Sequence, residues 1–332
     1  MPKKFNSLLE AVRNCDNIDQ QSLFSSQTDQ YSFYIDSVLV GVLSKHAVPA
    51  LQEYTVENQK LFFFDEQEKK ASIGSWCLTR AQRQECFAVM LEMFRVEQVW
   101  PCLKNWRTEQ YPIYGNKNSS DGVFFTIERA AAEAFGIRTF GVHVNGFVKL
   151  SCQSNEGSKA KTIKMWIAKR SLFKGTFPGM LDQVVAGGIS AGEGPLSSVI
   201  RECEEEAGIP KQFSERAVPA GAIQYITHNA HGIQPETQYV YDLELPSSFQ
   251  PKAVDGEVDC FMLLEIDKVL EKLFEGVFKP NCLCVIVDFL IRHGIITPEN
   301  EPDYLYIIDS LHRTLVFPGP KSHLPSTSFN HK

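Results

Sequence analysis

Glu202, Glu205 and Glu206 crowd three carboxylates into five residues, with Arg201 directly before them and Glu193 eight positions ahead of that arginine. Like charges at these spacings repel one another and weaken an isolated helix, so the group needs a cation to balance it. Hard oxygen donors on a rigid element suit magnesium, with manganese as a possible substitute. Taken alone, a run of acids is usually no more than a solvated helix face. The flanking residues must decide between the two.

Those residues define the element that positions the acids. The stretch 187–209 reads GGISAGEGPLSSVIRECEEEAGI, a glycine-rich loop followed by a glutamate-dense segment. Pro195 suits a first helical turn, where its missing N–H has no partner to lose, and Gly208 suits the left-handed position just past the last turn, so the punctuation predicts a helix over 195–207. At about 100° per residue, Glu202, Glu205 and Glu206 share an arc of roughly 100°. Leu196, Val199, Ile200, Cys203 and Ala207 occupy the neighbouring arc, so one side packs and the next presents acids.

The same stretch resembles the Nudix signature G-x5-E-x7-R-E-U-x-E-E-x-G-U, in which U is bulky and apolar. Gly187, Glu193, Arg201, Glu202, Glu205, Glu206, Gly208 and Ile209 match it, and Cys203 is the soft match. Seven fixed identities would coincide by chance on the order of once in a million chains of this length. The resemblance implies an α/β fold, a Nudix α/β/α sandwich with a mixed sheet. In that family the residues matching Glu202, Glu205 and Glu206 bind a divalent metal, the one matching Arg201 orients a carboxylate, and the one matching Glu193 joins the outer metal shell. The implied reaction is attack of water on a phosphoanhydride, aided by a metal that acidifies water and neutralises phosphate charge.

Other candidates lie outside this box. Asp255, Glu257 and Asp259 precede a predicted strand, and many Nudix enzymes take a further carboxylate from such a place. Glu257 is the first choice as ligand or base, with Asp259 behind it. Lys169, Arg170 and Lys174 follow another predicted strand and are candidates for holding substrate, as are Gly187 and Gly188 in the loop. His228 and His231 read as loop residues. A narrower resemblance, to the thiamine-pyrophosphokinase-related Nudix proteins, is carried by FPGMLDQVVAGG at 177–188 and FKPNCLCVIVDFLIRHG at 278–294. Those proteins carry an N-terminal domain of unknown function, which WCLTR at 76–80 and FFTIER at 124–129 resemble. This implies hydrolysis of thiamine diphosphate, or its oxidised and damaged forms, to the monophosphate. The competing expectations are a housecleaning hydrolase of oxidised nucleoside triphosphates of the 8-oxo-dGTP type, and a non-catalytic Nudix-fold binding module. Trp76, Trp100 and Trp106 read as core residues before they read as a stacking surface.

The bulk properties set the frame. With 332 residues, 43% of them hydrophobic, the chain is too long for one average domain. A net charge of −7 gives no broad positive field for a nucleic acid polymer or an anionic membrane, which leaves a small-molecule diphosphate as the expected partner. The nine cysteines show no framework spacing, and the N-terminus lacks the look of a signal peptide. Reduced thiols and a cytoplasmic setting are therefore expected. The most apolar run, 282–291, is interrupted by Asp288 and is too short to span a bilayer.

Three regions are expected: a mixed α+β N-terminal domain over 1–137, the Nudix domain over 138–296, and a C-terminal helix with a loose tail over 297–332. Within the first, the pattern reads as mostly helical, with a closing helix at 126–135 and strands at 31–42 and 59–64. Within the second, strands are expected at 139–150, 162–168, 238–245 and 259–266 around a polar loop at 153–159. Helices are expected at 267–275, 282–293 and 304–315.

Overall fold

The computed structural model describes residues 3–24, 29–153, 159–229 and 232–320. Most of the expected 153–159 loop, His231 and the end of the tail lie outside the described residues. The chain divides into two compact units, and the division departs from a single cut at residue 137. One unit gathers Met1–Ile18, Thr139–Thr227 and Glu236–Thr314; the other gathers Asp19–Arg138, His228–Pro235 and Leu315–Lys332.

The unit containing Asp19–Arg138 is richer in strands than the sequence pattern suggested. Strands Tyr31–Ile35 and Val38–Leu43 form a hairpin whose turn, Asp36-Ser37, takes positive φ at both positions. That twist matches the twist of the paired strands. They belong to a four-stranded sheet with Lys70–Ile73 and Phe62–Asp65. The helix expected at 126–135 starts later than expected. Thr126 and Ile127 pair with Pro112 and Tyr111 in a second hairpin, and a 3-10 turn over Arg129–Ala131 leads into a short α-helix, Ala132–Phe135. Here β-branched residues with a partner strand outweigh the helix propensity of the alanines and glutamates that follow. A 17-residue helix, Arg80–Val96, opens on a capping box formed by Thr79 and Gln82. Its Phe87 packs with Phe62, Phe125 and Phe135 at ring separations of 4.5 to 5.6 Å, and Trp100 lies against Phe94 and Phe135. Trp100 is therefore core.

The other unit is built on a seven-stranded mixed sheet. Thr139–Gln153 is central, antiparallel to Lys159–Arg170 and Val185–Gly188 and parallel to Ile233–Glu244. Val258–Glu265 pairs with Lys159–Arg170, and Val218–His228 lies at the edge beyond Ile233–Glu244. One apolar cluster joins Phe147, Met165, Ile167 and Val240 of the sheet to helices Ile266–Phe274, Pro280–Arg292 and Tyr304–Leu311. Met165, Trp166, Ile167 and Ala168 are consecutive and all buried, so this strand is covered on both faces.

The N-terminal helix Leu8–Cys15 belongs to this unit because its apolar face does. Leu8, Leu9, Ala11, Val12 and Cys15 join the same cluster. Asp16, just past the helix, accepts from Ile226 N at 2.9 Å and from Arg313 Nη1 at 2.6 Å. Among the described residues, no helix is long and apolar enough to cross a membrane.

Candidate active site

The helix Pro195–Ala207 runs as its punctuation requires, with Pro195 first and Gly208 closing it at a φ of 57°. Val199, Cys203 and Ala207 are buried, and the helix packs on Val185–Gly188 and Thr139–Gln153. Cys203 thus supplies bulk as an apolar residue would, its thiol pushed up to about 12 by burial.

Gly187 has a steric reason. A Cβ there would lie 2.6 Å from Glu202 Cγ and closer still to its carboxyl group, so any side chain would displace Glu202. This glycine, expected as a substrate contact, makes room for a glutamate. Gly188 pairs with Gly141 in the sheet.

Arg201 organises the acids on its side of the helix. Its Nε and Nη2 donate to the two oxygens of Glu193 at 2.7 and 3.0 Å, while Nη1 reaches Glu205 at 2.9 Å and Glu202 at 3.0 Å. The Arg201 hydrogen bonds hold the Glu193 carboxyl below its usual range. Burial instead raises Glu202, against the pull of Arg201 and with help from the charges of Glu205 and Glu257. The Glu205 side chain is 52% exposed and stays with Arg201.

Glu206 is buried and accepts from Ala186 N at 3.1 Å. Burial pushes its carboxyl well above the ordinary range, and the charges of Glu202, Asp182 and Glu257 push the same way. One carboxylate oxygen each from Glu206, Asp255 and Glu257 lie within 4.8 Å of one another. A buried acid facing two more acids from a distant loop is a poor arrangement unless a hard cation joins them, and this donor set fits magnesium. Glu206, Asp255 and Glu257 are the residues that would hold it; Glu202 and Glu205, also expected as ligands, stand on the same helix as Glu206 but outside this group.

The structure selects among the loop acids. Gly256, at a φ of 80°, turns the chain so that both Asp255 and Glu257 reach Glu206, and Asp255 Oδ1 accepts from Glu257 N at 2.8 Å. Asp259, the second choice, instead pairs with Lys169 at 2.9 Å. Asp255 was the acid that spacing alone did not single out, although the glycine between it and Glu257 was the available signal.

The three basic candidates are also engaged. Lys174 Nζ contacts the Glu257 carboxylate, and Lys169 is held by Asp259. Arg170, expected to reach substrate, is buried instead. Its Nη1 meets Asp182 at 2.8 Å, and Nε and Nη2 donate to the carbonyls of Phe177 and Thr176 at 3.0 and 2.8 Å. A buried guanidinium must find partners on every side, and those it finds are internal.

Beside Glu206 lies a second buried polar cluster that the sequence did not reveal. His143, Asp182 and Cys282 gather there: Cys282 Sγ donates to Asp182 at 2.7 Å, and His143 Nδ1 lies 2.9 Å from Gln183 Oε1. Burial and the charge of Lys279 hold the His143 imidazole at about 4. Burial alone would raise Asp182, but Lys279, His143 and Arg170 bring it down to about 2.

Comparison with known proteins gives the family. Residues 154–280 match the NUDIX domain and residues 7–139 match a domain of unknown function, DUF4743. The chain is 40% identical over 228 residues to an uncharacterized protein of Saccharomyces cerevisiae, covering 65% of this chain and 64% of that one. It is 36% identical over 277 residues to Nudix hydrolase 20, chloroplastic, of Arabidopsis thaliana, covering 81% and 69% of the two chains. A crystal structure of a C. elegans Ap4A hydrolase binary complex covers 46% of this chain and 98% of its own, at 16% identity and a TM-score of 0.33. With a NUDIX domain match and a relative of that name at more than a third identity, the chain belongs to the Nudix hydrolases, enzymes that act on phosphoanhydrides.

Proposed function

We propose that this protein is a magnesium-dependent pyrophosphohydrolase that cleaves the single anhydride of thiamine diphosphate, or of its oxidised and damaged forms, to the monophosphate and inorganic phosphate. The observation that carries the hydrolytic part is the meeting of Glu206 with Asp255 and Glu257 beside Glu202. A divalent cation bound there, magnesium or in its place manganese, supplies acidification of water and neutralisation of phosphate charge. The chain's own groups do the rest. Arg201 fixes Glu193 and Glu205 in place, and Lys174 pairs with Glu257, the candidate base. Support for the thiamine part comes from the likeness of 177–188 and 278–294 to the thiamine-pyrophosphokinase-related proteins. A diphosphate ester has one anhydride, so the products follow from the bond attacked.

The test is a parallel assay on thiamine diphosphate, oxothiamine diphosphate and 8-oxo-dGTP with magnesium, in ¹⁸O-labelled water. The expected outcome is the highest kcat/KM on a thiamine-type diphosphate, with label in the phosphate or the monophosphate. Release of pyrophosphate with label in the alcohol would refute anhydride cleavage, and a preference for 8-oxo-dGTP would refute the substrate.

A further inference from the structure

The loop joining Lys159–Arg170 to Leu181–Asp182 carries side chains that the hydrolytic reading leaves unused. Phe173 is 97% exposed, and Leu172 and Phe177 of the same loop are 72% and 43% exposed. An apolar cluster left open in this way marks a contact surface more often than chance. The loop is nonetheless well tied down. Lys174 N donates to Ser171 O at 3.3 Å, which closes a turn with Leu172 and Phe173 at its two central positions. Ser171 N donates to Glu257 O at 2.8 Å, and Lys174 Nζ contacts the Glu257 carboxylate, so both ends of the turn are fastened to the metal-site loop. Phe177 sits at a φ of 49°, strained for a residue with a Cβ, and Arg170 holds its carbonyl. Strain kept in place by a buried arginine belongs to a segment whose shape matters.

We propose that Phe173, flanked by Leu172 and Phe177, is the specificity surface on which a flat heterocycle attached to the diphosphate stacks. This rests on the diphosphate hydrolysis proposed above. The exposed ring is one residue from the lysine that touches Glu257, so a diphosphate held at the carboxylates places its organic substituent near this turn. A phenyl face favours a flat, electron-poor or cationic ring over an alkyl chain.

The experiment compares the full-length protein with Phe173→Ala and Phe173→Trp on thiamine diphosphate and on isopentenyl diphosphate, which has no ring. In Phe173→Ala the ratio of kcat/KM for the ringed over the ringless substrate should fall roughly tenfold, mostly through KM, and Phe173→Trp should restore it. A second measurement needs no turnover: thiamine monophosphate should quench the added fluorescence of Phe173→Trp relative to the parent protein. An equal loss on both substrates, or no loss on either, would overturn the stacking surface. So would a change of sedimentation in Phe173→Ala with an unmoved ratio, since the patch would then serve a second copy of the chain. If the parent protein cleaves neither substrate, the thiamine diphosphate reading fails, and the quenching titration alone decides the stacking: quenching supports it and its absence overturns it.

Discussion

Around Glu206, carboxylates from a helix and a remote loop converge with the Lys174 ammonium on their rim, whereas around Asp182 a single carboxylate meets an arginine, a thiol, an imidazole and a second cation's charge. Both clusters lie in the same unit, the Asp182 group buried throughout and Glu206 buried beneath the more exposed Asp255 and Glu257, and Asp182 is close enough to raise Glu206. They end in opposite states. Asp182 is brought down to about 2 by the cations around it despite its burial, while Glu206 is driven up by burial, with the charges of Glu202, Asp182 and Glu257 pushing the same way. A buried polar group that is fully paired braces a structure; one left unbalanced awaits a ligand. On the function proposed above, this difference assigns metal binding to Glu206 and support to Asp182.

The sharpest way to break this comparison is Asp182→Asn. It leaves the Arg170 guanidinium buried without its counter-ion, and an uncompensated buried charge costs about 3–5 kcal/mol. Urea denaturation should show a loss of that order, and a loss below about 1 kcal/mol would mean that the Asp182 cluster is not a brace. Next comes Glu206→Gln, which keeps size and helix propensity while removing a charged oxygen. Turnover should fall by roughly 10²-fold or more, with magnesium affinity, as several kcal/mol of stabilisation at the reacting phosphate is lost. Stability without metal should hold or rise slightly, since like-charge repulsion is relieved. Wild-type turnover at limiting magnesium would show that Glu206 does not hold the metal that turnover needs.

A pH series tests the supporting cluster more gently. The folded imidazole of His143 lies near 4 against an ordinary 6.5, so the unfolded chain takes up the proton first as pH falls. Its contribution is therefore complete above about pH 6.5 and is lost as pH drops toward 4, amounting to about 3 kcal/mol at most. His143→Gln should flatten that slope; an unchanged slope would assign it to other groups. The smallest effect is expected from Glu205→Gln. The side chain is half exposed and tied to Arg201, outside the group around Glu206, so a loss of about tenfold is expected, near 1.4 kcal/mol. A loss matching that of Glu206→Gln would place Glu205 among the direct ligands on metal binding.

What the sequence determined by itself was local. A proline, a glycine and a 3.6-residue period define the helix Pro195–Ala207 to the residue, and the strands expected at 139–150 and 162–168 are found, each longer than expected. The capping box at Thr79 and Gln82 was equally legible and went unread, as did the edge strand Val218–His228. The tertiary structure decided everything that depends on distant segments meeting. It chose Asp255 over Asp259, because a left-handed glycine aims the chain at Glu206. It turned Arg170 inward to Asp182 and the Phe177 carbonyl, and it gave Gly187 its purpose as space for Glu202. It also placed Leu8–Cys15 in the unit that bears the box, more than a hundred residues away along the chain. Caps and periodicity act over one or two helical turns and can be read along a line, whereas burial, charge compensation and steric room are properties of the packed whole.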